Sequence, residues 1–160
     1  MGDIFYNTKK SLKDIIYSSI GRCIQEGIFD KTEMPPFIIE EPSDKIRGDF
    51  STNIAMVSAK SFKKAPIKIA EEIGKKLILD GSYFKKFEIA GSGFINFFVK
   101  KEFFIDILKE VYKEKQNYGK NKDGGLKKVM VEFVSANPTG PMHIGNARGG
   151  SLGDSLANIL

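Results

Sequence analysis

The sequence is poor in the residues that most often carry covalent or metal chemistry. Cys23 is the one cysteine and His143 the one histidine in 160 residues. A single cysteine excludes an intrachain disulfide and a cysteine-based zinc site. No catalytic scheme can draw on two histidines. Long hydrophobic runs are lacking as well. Apolar stretches such as 37–39 fall far short of the ~18 residues that suggest a membrane-crossing helix. No basic-then-apolar leader stands at 1–10, and there is no internal repeat or low-complexity tract. A reducing, cytoplasmic setting is the expectation. What is present is a globular composition, 41% hydrophobic and 28% charged, enough for both a core and a solvated surface. Lys and Arg number 25 against 20 Asp and Glu, for a net charge of +5. That excess favours an anionic partner without naming one.

Hydrophobic spacing sets the organisation. Leu12, Ile15, Ile16, Ile20, Cys23, Ile24 and Ile28 recur at three- and four-residue steps and predict an amphipathic helix ending near Gly27. Pro35 and Pro36 interrupt, and 37–41 reads as a short strand. A loop is expected over 42–50. Ser51 or Thr52 would then cap a helix through 54–60. Pro66 suits the first turn of a further helix whose buried face is Ile67, Ala70, Ile73 and Leu77. The runs 84–90 and 94–99 flank Gly91-Ser92-Gly93 and predict a hairpin. Phe103, Phe104, Ile107, Leu108 and Val111 give a last apolar stripe. Residues 1–117 thus read as a self-contained α+β domain of helices and a small antiparallel sheet. Residues 118–128, with Asp123-Gly124-Gly125, read as a linker. Beyond it, 129–134 is expected as a buried strand, 137–141 as a loop and 143–160 as a helix. One strand and one helix cannot cover their own faces. Residues 129–160 are therefore expected to be the truncated start of an α/β domain, and the chain the first part of something longer.

The segment from Val131 to Gly150 holds the most chemistry. It reads as a strand, a Pro-bounded loop and a Gly-rich helix start, an arrangement that suits a phosphate at a helix N-terminus. His143 can donate to a phosphate oxygen there, and Asn146, three residues on, shares its face. Taken without a family, His143 is equally a helix-end residue, and Glu132 is either a functional carboxylate or a solvated strand end. Phe94 is either core or an open-face aromatic. Alternation puts 94, 96 and 98 on one face of a strand, and Asn96 interrupts the apolarity of that face.

The run Asn137-Pro-Thr-Gly-Pro-Met-His143-Ile-Gly-Asn146 is similar to the HIGH motif of class I aminoacyl-tRNA synthetases as arginyl-tRNA synthetases carry it, with Asn146 at the fourth motif position where the consensus has His. Gly48-Asp-Phe-Ser-Thr-Asn-Ile-Ala-Met56, Ala65-Pro66 with Ile69-Ala70, and Ala90-Gly-Ser-Gly-Phe-Ile-Asn-Phe-Phe98 resemble the additional N-terminal domain of the same family, in the same order. The resemblance implies a Rossmann-like class I catalytic domain beginning at 129. It also implies a ligase that joins arginine to its tRNA through an arginyl-adenylate made from ATP, with Mg2+ accompanying the ATP and no metal site in these residues. By resemblance, His143 and Asn146 are the catalytic-motif residues, and Pro141, His143, Gly145 and Asn146 meet ATP. Glu132, Ser135, Asn137 and His143 meet arginine. Phe94 and Asn96 would read an unpaired D-loop base of the tRNA, with Lys85 and Lys86 on nearby phosphates. The implied partners are arginine tRNA, arginine and ATP, with no membrane and a monomeric parent. The guanidinium-reading carboxylate and the second nucleotide loop of the family lie outside this sequence, so the 160 residues alone are expected to be inactive in aminoacylation. A stand-alone RNA-binding module is the alternative. A different nucleotidyl-transferring enzyme ranks third, since it has no reason to carry the first domain's motifs.

Overall fold

The computed structural model describes residues 4–120, 124–125 and 127–160, apart from the side chain of Lys45. It divides into two compact units, one running to Tyr118 and the other beginning at Gly119. The expected linker over 118–128 includes 121–123 and 126, which lie outside the described residues.

The first unit opens with α1, Ile4–Gln25. Leu12, Ile16, Ile20 and Cys23 recur at helical spacing on one side and are buried. Burial pushes the Cys23 thiol above its usual value, with Glu72 adding to the rise, as suits inert core. Short strands β1, Ile39–Glu40, and β2, Phe50–Thr52, follow, then the one-turn helices α2, Ile54–Val57, and α3, Ala59–Phe62. Helix α4, Pro66–Lys75, begins on its proline, whose missing N–H costs nothing at a helix start. Ser19 Oγ donates to the Ile73 carbonyl (2.7 Å), and the Arg22 guanidinium donates to the Lys76 carbonyl, fastening α1 to α4.

The hairpin β3, Phe84–Ala90, and β4, Phe94–Val99, forms as its sequence predicts. It joins an antiparallel sheet of order β1-β2-β4-β3. Phe50 and Thr52 of β2 and Ile95, Phe97 and Val99 of β4 point into the core, where Phe50 meets Phe84 and Phe84 meets Phe97 edge to face. Gly93 (φ 120°) lets the hairpin end close on α4, since a Cβ there would stand 3.0 Å from the Pro66 carbonyl oxygen.

Three expectations are corrected. Residues 50–52 form a strand, not a loop end and a helix cap, because the segment is zipped between β1 and β4. On α4 the interior face is Ile69, Ala70 and Ile73, while Ile67 is exposed. Helix α5, Lys101–Glu114, forms, yet of its expected stripe only Phe103 is buried. That ring packs on Phe5, Phe50 and Tyr83, whereas Phe104 and Leu108 are exposed.

In the second unit α6, Ile144–Ile159, forms as expected. The buried strand expected at 129–134 does not, and no Rossmann-like sheet is present among the described residues. Val134 there has a left-handed backbone (φ 58°), and among the described residues the segment joins no ladder. A strand is completed by its ladder partners, and this unit holds no strand among the described residues. Met130 is almost fully exposed. Phe133 and Val134 lean on α6 at its glycines: a Cβ on Gly153 would overlap the Phe133 ring, and one on Gly150 would stand 3.1 Å from Val134 Cγ2.

Candidate functional site

The motif Gly48–Asn53 builds the floor of the first unit's open face, residue by residue. Gly48 (φ 96°) runs so close to β4 that a Cβ would stand 2.8 Å from the Phe97 carbonyl oxygen. The Asp49 N–H donates to that same oxygen (2.9 Å), and its Oδ2 accepts from the Val99 N–H (2.9 Å), closing the end of β4. Thr52 Oγ1 donates to the Ile38 carbonyl (2.8 Å), and Asn53 Oδ1 accepts from the Ile38 N–H (3.1 Å), clipping β1 on the other side. Phe50 is the inward anchor. Ser51, between them, points to the open face.

On that face one row of side chains crosses all four strands. Glu40 pairs with Ser51, Ser51 with Asn96, and Asn96 with Glu88. Ser51 Oγ donates to Asn96 Oδ1 at 2.7 Å in a buried contact. Asn96 Nδ2 makes no hydrogen bond within the described residues. A cavity of about 660 Å3 opens here, with Ser51 and Asn96 at its base. Phe94 and the hairpin turn Ala90–Ser92 form one side, and Glu40–Ser43 with Arg47 the other. Phe94 is half-buried, with its neighbours 95 and 97 fully in the core, so the alternation across β4 is as the spacing predicts. Asn96 is only 5% exposed, more enclosed than an open-face position suggests. The structure therefore brings Phe94 and Asn96 together in one cavity.

The lysines fall differently. Lys85 is exposed. Lys86 lies over the Phe98 ring (4.3 Å to its centre) and is paired with Glu88, so it is engaged within the sheet. Sequence reasoning missed Ser51, Glu40 and Arg47 as cavity residues. Ser51 was legible only as part of a motif, and the register that sets it beside Asn96 carries no local signal.

In the second unit His143 and Asn146 cap α6 reciprocally. The His143 N–H donates to Asn146 Oδ1 (3.1 Å), and His143 Nδ1 accepts from the Gly145 N–H (3.1 Å). With Nδ1 accepting, the ring's free donor is Nε2–H. A hollow of about 400 Å3 beside this cap is lined by Val134, Met142, His143, Ile144, Asn146, Ala147 and Gly150. Glu132, Ser135, Asn137 and Pro141 are exposed and lie outside that lining. Among the described residues no group of three or more His, Cys, Asp or Glu side chains could hold a metal ion. No helix of the described residues is long and apolar enough to cross a membrane.

The chain thus carries an α+β unit with a recessed aromatic–amide cavity, and further along a capped Gly-rich helix. The family model for the arginyl tRNA synthetase N terminal domain matches residues 9–99, more than half of the chain, and the chain belongs to that family. It is 48% identical over all 160 residues to an arginine–tRNA ligase of Acetivibrio thermocellus and 47% identical to one of Caldanaerobacter subterraneus. A Bacillus pumilus arginine–tRNA ligase is 43% identical over 158 residues. The chain spans 28% of the length of each. The fold matches a crystal structure of arginyl-tRNA synthetase from Plasmodium falciparum with a TM-score of 0.61 at 23% identity, covering 92% of this chain and 27% of that one.

Proposed function

We propose that the first unit is a tRNA-corner reader that takes one unpaired D-loop base of arginine tRNA into the cavity between Phe94 and the 40–47 loop. The observation that carries this reading is the convergence of a half-buried aromatic and a recessed amide with an unused N–H pair in one cavity. A base stacked on Phe94 is worth about 1–3 kcal/mol, and Asn96 Nδ2 meets an acceptor on its edge. The rim supports a base over a phosphate. Glu40 and Glu41 outnumber Arg47 there, and Glu88 flanks Asn96, so an anionic group gains little from entering. Phosphates on either side of the base would be met by Lys85 and by the chain's net positive charge.

The second unit supplies, in this reading, the first strand and the motif helix of a class I catalytic domain in an arginine–tRNA ligase acting in the cytoplasm. Residues 129–134 become a ladder strand only when neighbouring strands are supplied. His143, with Asn146, Gly145 and Pro141, would approach ATP through the free Nε2–H and the start of α6. Glu132, Ser135 and Asn137 would face arginine. Mg2+ would ride on the ATP phosphates, as it commonly does, since the described residues offer it no cage. Stabilising charge and positioning, not covalent catalysis, are what such a site contributes.

Competition tests the reading. Labelled arginine tRNA bound to the chain at ~150 mM salt, where nonspecific phosphate attraction is weakened, should resist a tenfold excess of a tRNA for another amino acid. Equal displacement by the two tRNAs contradicts it.

A further inference from the structure

The chain's positive charge is not spread evenly. Between Asp49 and Glu71 stand Lys60, Lys63, Lys64 and Lys68 and no acid, against a net charge of +5 for the whole chain. On α5, by contrast, lysines alternate with Glu and Asp. The basic stretch is tied to the wall of the base cavity at both ends. At its start, Ser92 Oγ of the hairpin turn donates to Met56 Sδ (3.3 Å). At its end, Gly93 rests on Pro66, where a Cβ would stand 3.0 Å from the proline carbonyl oxygen. Ala90, Gly91 and Ser92 of the same turn line the cavity. The segment 57–65 therefore leaves and returns at the wall to which Phe94 belongs.

Two of the four lysines are already engaged. Lys68 pairs with Glu71 (2.9 Å), and Lys64 Nζ donates to the Ile28 carbonyl (2.7 Å). Lys60 and Lys63 are exposed, and among the described residues neither side chain has a partner. Lys63 also holds a left-handed backbone (φ 51°) as it closes α3, a place where glycine would avoid the strain. The opposite wall has the opposite sign: Glu40 and Glu41 lie there, and Arg47 is shared with Asp44. A polyanion approaching the cavity is repelled on that side and attracted on the hairpin side. Lys85 cannot serve at the turn, since it lies five residues from Ala90 on β3, roughly 16 Å along the strand.

We propose that Lys60 and Lys63 form a ledge that binds backbone phosphates of the D-loop beside the pocketed base, on the hairpin-turn side of the cavity. They position the RNA and read no base. The inference rests on the reading of the first unit as a tRNA-corner reader and adds the side on which the RNA backbone passes.

The test titrates labelled arginine tRNA against the full chain from ~50 to ~300 mM salt, with the unfolding temperature of each variant recorded. The variants are Lys60→Gln with Lys63→Gln, Lys60→Arg with Lys63→Arg, and Lys10→Gln with Lys113→Gln. The last pair removes the same charge from α1 and α5, which do not line the cavity. Each phosphate contact to single-stranded nucleic acid adds about 0.7 to the salt slope. The first pair should reduce the slope by about one to two and weaken binding by about tenfold at ~50 mM salt, with little loss at ~300 mM. The arginine pair and the α1–α5 pair should both stay close to wild type. Ethylation interference gives the location: phosphates within a few nucleotides of the pocketed base should matter for wild type and not for the first pair. A slope in the first pair equal to that of wild type overturns the proposal. So does an equal loss of slope in the α1–α5 pair, since net charge alone would then be at work. A loss that the arginine pair shares, with lowered unfolding temperatures in both, marks a merely structural role and overturns it as well. If wild type shows no saturable binding, the tRNA-corner reading itself falls and takes this proposal with it. That outcome is told apart from the others by the wild-type titrations alone.

Discussion

At the scale of single residues, the first unit uses its small polar side chains as connectors and leaves few of them idle. Asp49, Ser51, Thr52 and Asn53 each hold a named partner on a neighbouring strand or segment. Thr8 Oγ1 and Ser58 Oγ are the contrast: both are buried, and neither has a hydrogen-bond partner among the described residues. A buried, unpaired hydroxyl costs on the order of 1–3 kcal/mol of desolvation. Ser58→Ala removes that cost and exchanges a poor helix residue for a good one at the α2–α3 junction. Its urea midpoint should rise, corresponding to ~1 kcal/mol of added stability, and a fall would mean that Ser58 has a partner in solution. Residue-level expectations from the sequence hold where chemistry is local. The placement of Cys23 in the core followed from its position on the α1 stripe. The pairing of Ser51 with Asn96 spans 45 residues and depends on strand register, which no local pattern encodes.

Among the elements, legibility tracks how much of an element's stabilisation lies within its own sequence. Helix α1 and the β3–β4 hairpin carry a long stripe and a Gly-bounded turn, and both formed where the spacing puts them. Strand β2 is three residues long, two of them polar, and exists because β1 and β4 grip it. Its weak point is therefore Gly48. Alanine there would combine a left-handed backbone with a Cβ pressed on the Phe97 carbonyl. Gly48→Ala should destabilise the first unit by about 1–3 kcal/mol, read as a lowered urea midpoint, and a change under ~0.5 kcal/mol would contradict the close approach. In the second unit the helix was legible and the strand was not, for the same reason: α6 supplies its own cap, whereas 129–134 needs partners. His143→Ala removes one side of the reciprocal cap on α6 and should cost the helix about 0.5–2 kcal/mol. The loss should appear as reduced helicity confined to amides near 143–147 by hydrogen exchange. Unchanged protection there would mean that the cap contributes nothing.

For the molecule as a whole, two compact units of different completeness follow one another in the chain. The first has a core, a closed set of helices on one sheet face and an open cavity on the other. The second has one helix, with Phe133 and Val134 packed on its glycines. The resemblance carried by 48–56 and 90–98 correctly pointed to the family, and the family match over 9–99 covers both stretches. The α+β character of the first unit was likewise readable from alternating helical and strand periods. Of the truncated Rossmann-like start expected at 129–160, the helix is present and the strand is not among the described residues, since a parallel strand is completed only by ladder neighbours. The most direct measurement is binding of arginine tRNA to wild type and to the Phe94→Ala, Asn96→Ala double variant at two salt concentrations, with unfolding curves showing both folded. Saturable binding that weakens by about tenfold or more in the double variant at both salts is the predicted result. Binding that ignores the two substitutions and vanishes as salt rises would reduce the interaction to lysine–phosphate attraction and contradict the account.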